Sequence, residues 1–161
     1  MASRTTAPID ATGPIDALDL CLRLGQAQSS LARRFDRGLS GGHGLSYSDF
    51  VLLTHLSRAP GGRLRRIDLA AAVGLTASGV TRALGPLERI GLVEREANPR
   101  DARVAYAALT DTGRQVLEDA NATAERVATY VTDEAGWSDE EATVLTDLLA
   151  RLGAAGLPPQ A

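Results

Sequence analysis

Apolar residues recur along this chain at two spacings. From Asp16, the stretch "DALDLCLRLGQAQSSLARRFDRGL" places Leu20, Leu24, Ala27, Leu31 and Phe35 on one face of a helix. Asp16 itself is an N-cap candidate. "SGGHG" breaks the pattern, and "LSYSDFVLLTHLSRA" resumes it as a second helix, with Ser46 or Ser48 near its start and "PGG" at 60–62 as its end. "RLRRIDLAAAVGLTASGVTRALGPLERIGLV" holds two more helical patterns, split at Gly74-Leu75. The spacing then drops to two. "LVEREANPRDARVAYAALT" alternates, stops at Asn98-Pro99 and resumes. That pattern predicts a hairpin with a loop of about 5–8 residues. A long helix follows from Thr110, with Leu117, Ala120, Ala124, Val127 and Val131 as a narrow apolar seam. "AGW" interrupts it. Ser138 with Glu141 forms a capping box ahead of Val144, Leu145, Leu148, Leu149 and Leu152. Tyr130 and Trp137 read as packing residues near that helix junction. Residues 1–14 are small and polar and read as a mobile tail.

The order of elements predicts a mainly α fold with a small β-hairpin. Within it, Ala70, Gly74 and Val80 satisfy the spacing of a helix-turn-helix. The first helix needs a small residue where the second crosses it. The turn needs a residue that tolerates positive φ, and the second helix needs an apolar residue facing back. Thr76 is placed to cap that second helix. Pro86 removes a backbone donor, which predicts a kink between Arg82 and Gly85, with Leu87, Ile90 and Leu92 in the core beyond it.

Charge sharpens the picture. The net charge is −3 over 161 residues, which by itself argues against a polyanionic partner. Yet residues 58–103 hold nine Arg and five acids, while the rest of the chain holds eight Arg and fifteen acids. A basic middle between acidic flanks suits a local phosphate-binding surface. Ser78, Thr81 and Arg82, with Thr76, lie where a recognition helix touches base edges or phosphates in the major groove, and small residues let it sit deep. The hairpin places Arg100 and Arg103 at its tip, where arginines suit a narrow minor groove or phosphates. Asp101 is repelled by phosphate, and its role is to orient an arginine or the loop.

"GLTASGVTRALGPLERIGLVER" and "DARVAYAALTDTGRQVL" resemble the recognition helix, wing and D-x-R…L-T-x-x-G signature of the MarR (multiple-antibiotic-resistance regulator) family. The resemblance spans roughly residues 16–153. It implies a winged helix-turn-helix lobe at 46–110 and interlocking dimerisation helices at 15–40 and 111–155. The expected protein is a homodimeric, sequence-specific repressor of double-stranded DNA, bound to a pseudo-palindromic operator and relieved by a small aromatic or phenolic ligand. The apolar faces of residues 16–35 and 111–153 need a partner on their own account, because a winged helix alone is too small to cover them.

The resemblance also implies two sensing modes. In one, a ligand binds between the dimer helices and the DNA-binding lobe, where Tyr47, His55 and Cys21 are candidate lining residues. In the other, "LDLCLRL" is similar to the first helix of the hydroperoxide-sensing branch, which reacts through a cysteine activated by tyrosine hydroxyls. Tyr47 matches one of those tyrosines, but Phe35 stands where another is expected and Gly25 replaces a nearby aromatic. These departures favour a buried, inert Cys21 over a peroxide sensor, and His55 reads first as a structural histidine. His43, in the glycine-rich loop, reads as solvated. With two His, one Cys and no metal-spaced cluster, a zinc-responsive version is disfavoured.

An alternative is a winged-helix protein-interaction module, which has no need for Arg100 and Arg103. An enzyme is disfavoured, since the chain holds no nucleophile–base pair, glycine-rich phosphate loop or paired metal ligands. No apolar run approaches the ~18–20 residues of a membrane span. Together with the single cysteine and the absence of an apolar leader, this predicts a cytoplasmic protein.

Overall fold

Side-chain caps set most of the helix boundaries. The computed structural model describes residues 16–98 and 101–154, with the side chains of residues 98, 101–104 and 154 left aside. The tail at 1–14 and the hairpin tip at 99–100 lie outside the described residues. Helix α1 (Ala17–His43) starts at Asp16, whose carboxylate accepts the Leu18 N–H at 3.0 Å. It runs past the expected break, because "SGGH" completes its last turn and the chain stops only at Gly44, in the left-handed conformation at φ 65°. Helix α2 (Tyr47–Arg58) begins with a capping box between Ser46 and Asp49. Pro60–Gly62 makes a 3-10 turn.

Strand β1 (Arg63–Arg65), helix α3 (Arg66–Ala72) and helix α4 (Ala77–Arg89) follow. Gly74 takes φ 67° in the turn between the two helices, and Thr76 caps α4 by accepting the Gly79 N–H at 3.0 Å. Ala70 and Val80 are both buried at the crossing. Helix α4 continues through Pro86 to Arg89, the missing donor falling in its last turns. One expectation is corrected here. Ile90 lies outside the core at 63% exposure, because it occupies the C-cap, off the arc that buries Val80, Leu84 and Leu87.

Strands β2 (Val93–Asn98) and β3 (Asp101–Leu109) form the hairpin. They pair up to Asn98 and Asp101, so the connection is two residues, shorter than expected, with an irregularity at Ala97/Asn98. The sheet order is β1-β3-β2, all antiparallel. Strand β1 has no counterpart among the expected elements, since three residues carry too little pattern to be read as a strand. Helix α5 (Asp111–Ala135) starts at the Thr110 cap and stops at Gly136, φ 67°. Helix α6 (Asp139–Ala154) opens on the Ser138–Glu141 capping box.

The core gathers Phe35 and Leu39 of α1, Leu52, Leu53 and Leu56 of α2, Leu69, Val80, Leu84 and Leu87 of the helix-turn-helix, and Leu117, Ala120 and Ala124 of α5. The N-terminal half of α1 and all of α6 stay outside it. Leu18, Leu20, Leu22, Tyr130, Trp137, Val144, Leu148, Leu149 and Leu152 are exposed. Tyr130 and Trp137 therefore pack on little within the chain, contrary to expectation, because α6 turns away from the core. No single helix among the described residues is long and apolar enough to cross a membrane.

Candidate nucleic-acid interface

Helix α4 is anchored by Val80, Leu84 and Leu87. At 3.6 residues per turn the opposite face carries Ser78, Arg82 and Arg89, all exposed. Two of the four candidate residues spend hydroxyl capacity inside the helix. Thr76 Oγ1 accepts from Gly79 and lies 3.1 Å from Ser78 Oγ. Thr81 Oγ1 donates to the Ala77 carbonyl at 3.0 Å, leaving an acceptor oxygen and a methyl for any partner. Ser78 and Arg82 are thus the best-placed polar groups on the outer face.

Beside this face lies a groove of about 500 Å³ between α3, the start of α4 and the base of the hairpin. Arg65 reaches it from the end of β1, Arg66 and Ile67 from α3, Ala77 and Thr81 from α4, and Arg95 from β2. None of these except Thr81 stands out in the sequence. The signal available was the basic run "RLRR". Arg65 takes the N-cap position of α3 without a capping hydrogen bond. It holds Asp68 instead through two bonds, Nε at 2.6 Å and Nη2 at 2.9 Å, and this hydrogen bonding, then the charge of Asp68, keeps the guanidinium above its ordinary pKa. Arg66 pairs with Glu88, tying the start of α3 to the last turns of α4. Its Nε is buried without a hydrogen-bond partner among the described residues. Arg63 pairs with Glu96 at 2.8 Å and lies 5.6 Å from the Tyr106 ring centroid, which braces β1 against the hairpin.

At the wing, Asp101 and Arg103 are the first and third residues of β3, and Arg100 falls outside the described residues. The wing's base is fixed to α5. Thr110 Oγ1 donates to the Gly91 carbonyl at 2.7 Å while accepting the Gly113 N–H at 2.9 Å.

The candidate sensing residues do not converge within one chain. Tyr47 is half-buried against Phe35, ring centroids 4.7 Å apart, and its N–H donates to Asp36. His55 is half-buried on α2. Cys21 is exposed, not buried as expected, because no core element covers the first turns of α1. It lies fourteen residues before Phe35 on the same helix, about 21 Å at the helical rise. His43 is also corrected: it ends α1, half-buried, with Nε2 3.1 Å from Thr123 Oγ1. A second groove, about 690 Å³, runs between α1 and α5 past Arg34, Arg37, Arg126, Val127 and Tyr130. There Arg34 pairs with Glu134, whose hydrogen bond and then charge hold the guanidinium above its ordinary pKa.

Residues 43–104 match the model of the MarR family. An HTH-type transcriptional regulator of Bacillus subtilis, YdgJ, is 37% identical over 109 residues, 68% of this chain and 64% of that protein. The chain spans less than two thirds of the length of the sequence relatives it matches. A MarR-family regulator of Streptomyces coelicolor, solved in complex with DNA, superposes with TM-score 0.79 at 27% identity, over 90% of this chain and 95% of that one. The Mycobacterium tuberculosis regulator MOSR, also solved with DNA, superposes with TM-score 0.71 at 30% identity, over 83% of this chain and 92% of that one. With this likeness covering 83–90% of the chain, the chain belongs to the MarR family of transcriptional regulators.

Proposed function

We propose that this protein is a homodimeric, sequence-specific DNA-binding repressor whose hold on its operator is relieved by a small aromatic or phenolic ligand. One observation carries the DNA reading: α4 presents Ser78 and Arg82 on an exposed face beside an arginine-bearing hairpin. Ser78, Arg82, Thr76 and Thr81 meet the major groove, Arg100 and Arg103 the flanking minor groove, and Asp101 orients the wing. Two relatives of the same fold were solved on DNA.

The dimer reading rests on the apolar surface that the chain leaves uncovered on α1 and α6, including Leu18, Leu22, Val144, Leu148 and Leu152. A second copy covers it by two-fold symmetry and places two recognition helices on a pseudo-palindrome. The α1–α5 groove, where Arg37, Arg126 and the exposed Tyr130 ring lie beside the Arg34–Glu134 pair, suits a small aromatic or phenolic ligand. Ligand relief follows if the ligand prefers a geometry that mis-spaces the two recognition helices.

The test is fluorescence anisotropy with duplex DNA from upstream of the protein's own gene, against scrambled DNA, over a salt series. Selective binding whose log affinity falls by about 0.9 per phosphate neutralised supports the regulator. Salt-insensitive, unselective behaviour on a pool of random duplexes overturns it.

A further inference from the structure

The groove beside α4 is lined by apolar and basic side chains together. Ile67 is 65% exposed in the first turn of α3, next to the Ala77 methyl and Thr81. The Thr81 hydroxyl donates to the Ala77 carbonyl. No side-chain donor from Ile67, Ala77 or Thr81 is therefore left for a partner: two hydrocarbon surfaces are, with a methyl and one acceptor oxygen. Arg65 and Arg66, paired with Asp68 and Glu88, line the same groove with Arg95. Hydrocarbon beside arginines complements a polyanion that carries methyl groups on its recognition face. In duplex DNA, one base fits that description. Thymine is the base with a C5 methyl in the major groove, and its paired adenine offers an N6–H donor beside it.

Resting on the DNA-binding reading above, we propose that Ile67, Ala77 and Thr81 form a thymine-methyl reader that sets base preference at one flank of each half-site. The thymine methyl packs against Ile67 and Ala77. The Thr81 oxygen accepts from the N6–H of the paired adenine. Arg65 and Arg95 hold the phosphates on either side. A cytosine–guanine pair carries its donor on the cytosine, sets the guanine O6 acceptor opposite the Thr81 oxygen and has no methyl, so it loses both contacts; replacing thymine by deoxyuridine isolates the apolar one. This places a specificity determinant on α3, outside the recognition helix itself.

The experiment starts from a duplex selected out of a random pool by the full-length protein. Each thymine is then replaced in turn by deoxyuridine, which removes the C5 methyl and nothing else. At one or two positions per half-site, binding should weaken about fourfold, the worth of one buried methyl. Replacing thymine by 5-methylcytosine there, with guanine opposite, should bind more tightly than cytosine. The Ile67→Ser protein, altered at an exposed position, should bind the thymine duplex more weakly, lose the thymine–deoxyuridine difference at that position, and keep the same salt slope. Equal binding of thymine and deoxyuridine duplexes at every position, with selective and salt-steep binding intact, overturns the methyl reader and leaves the DNA-binding reading standing. A selected site lacking thymine at that flank does the same. Failure to select any sequence, with no salt dependence, overturns both.

Discussion

The carbonyl oxygen of Leu92 lies 2.0 Å from the point where Gly113 would carry a Cβ. The first turn of α5 is therefore pressed against the backbone that leads into the hairpin, and a hydrogen is the largest group that fits. Thr110 reinforces the contact by bonding to the Gly91 carbonyl and capping Gly113. Both residues belong to the L-T-x-x-G stretch, whose role is thus to weld the wing's base to the helix that leaves the lobe. Gly113→Ala should cost about 3 kcal/mol or more, because the clash is with backbone and no rotamer relieves it. Chemical denaturation of the two proteins checks this. A loss under about 1 kcal/mol means that α5 shifts freely against the hairpin, contrary to the weld.

Arg66 and Glu88 are 13% and 28% exposed, and their ion pair spans the helix-turn-helix from the start of α3 to the end of α4. Glu88→Gln leaves a mostly buried guanidinium with less compensation, and Arg66 Nε already has no partner among the described residues. The expected loss is about 1–2 kcal/mol, below that of a fully buried pair because water still reaches Glu88. Arg66→Met with Glu88→Leu should recover most of it. A double variant no more stable than Glu88→Gln would show that packing, not the stranded charge, sets the cost.

Where a residue's role depends on its neighbours in sequence, the fold was legible. Asp16, Thr76, Thr110 and Ser138 are caps that act within three residues of themselves, and Gly74 marks its own turn. Strand β1 was not legible, since Arg63–Arg65 is extended only because β3 offers it a partner more than forty residues away. Ile90 misled because apolar character says nothing of which arc of α4 meets the core. His43 misled because its partner, Thr123, is eighty residues distant. On the exposed face of α4, Ser78 and Arg82 follow from helical phase. Arg65, Ile67 and Arg95 become neighbours only when α3 and β2 converge on α4.

Glu141 accepts the Ser138 N–H and contacts its hydroxyl, and these bonds, the backbone one foremost, hold its carboxyl below the ordinary pKa. A depressed folded value means that the cap's contribution to α6 is complete above the unfolded carboxyl's pKa, about 4.3. It fades as pH falls through the lower folded value. In a carbon-detected NMR titration, the Glu141 carboxyl should show a midpoint below the unfolded value of about 4.3. A midpoint at or above it would dissolve the capping box as an energetic feature.

Leu148 and Leu152 are exposed on α6 in a row with Val144. In the proposed dimer this row is central and desolvated. Leu148→Asp should then weaken self-association about 30-fold or more, as at an interface hot spot. Sedimentation velocity over a dilution series reads this directly, with circular dichroism to confirm retained helix. A variant that sediments like the parent protein at every concentration would place the subunit contact elsewhere.

Arg82 and Arg103 meet different parts of the duplex in the proposed complex, so their losses should differ in kind. Arg82 is on the outer face of α4 with Ser78, where a guanidinium reaches base edges. Arg82→Ala should weaken binding and relax or alter the preferred base at one operator position. Arg103 is the third residue of β3, at the wing. Arg103→Ala should cost about 1–3 kcal/mol and change preference only where minor-groove width varies. Binding-site selection with each variant, beside anisotropy on one duplex, separates the two. If Arg103→Ala binds with parental affinity as a folded dimer, the hairpin is no DNA-binding wing. If Arg82→Ala keeps the parental base preference, reading passes to Ser78 and to the groove beside it.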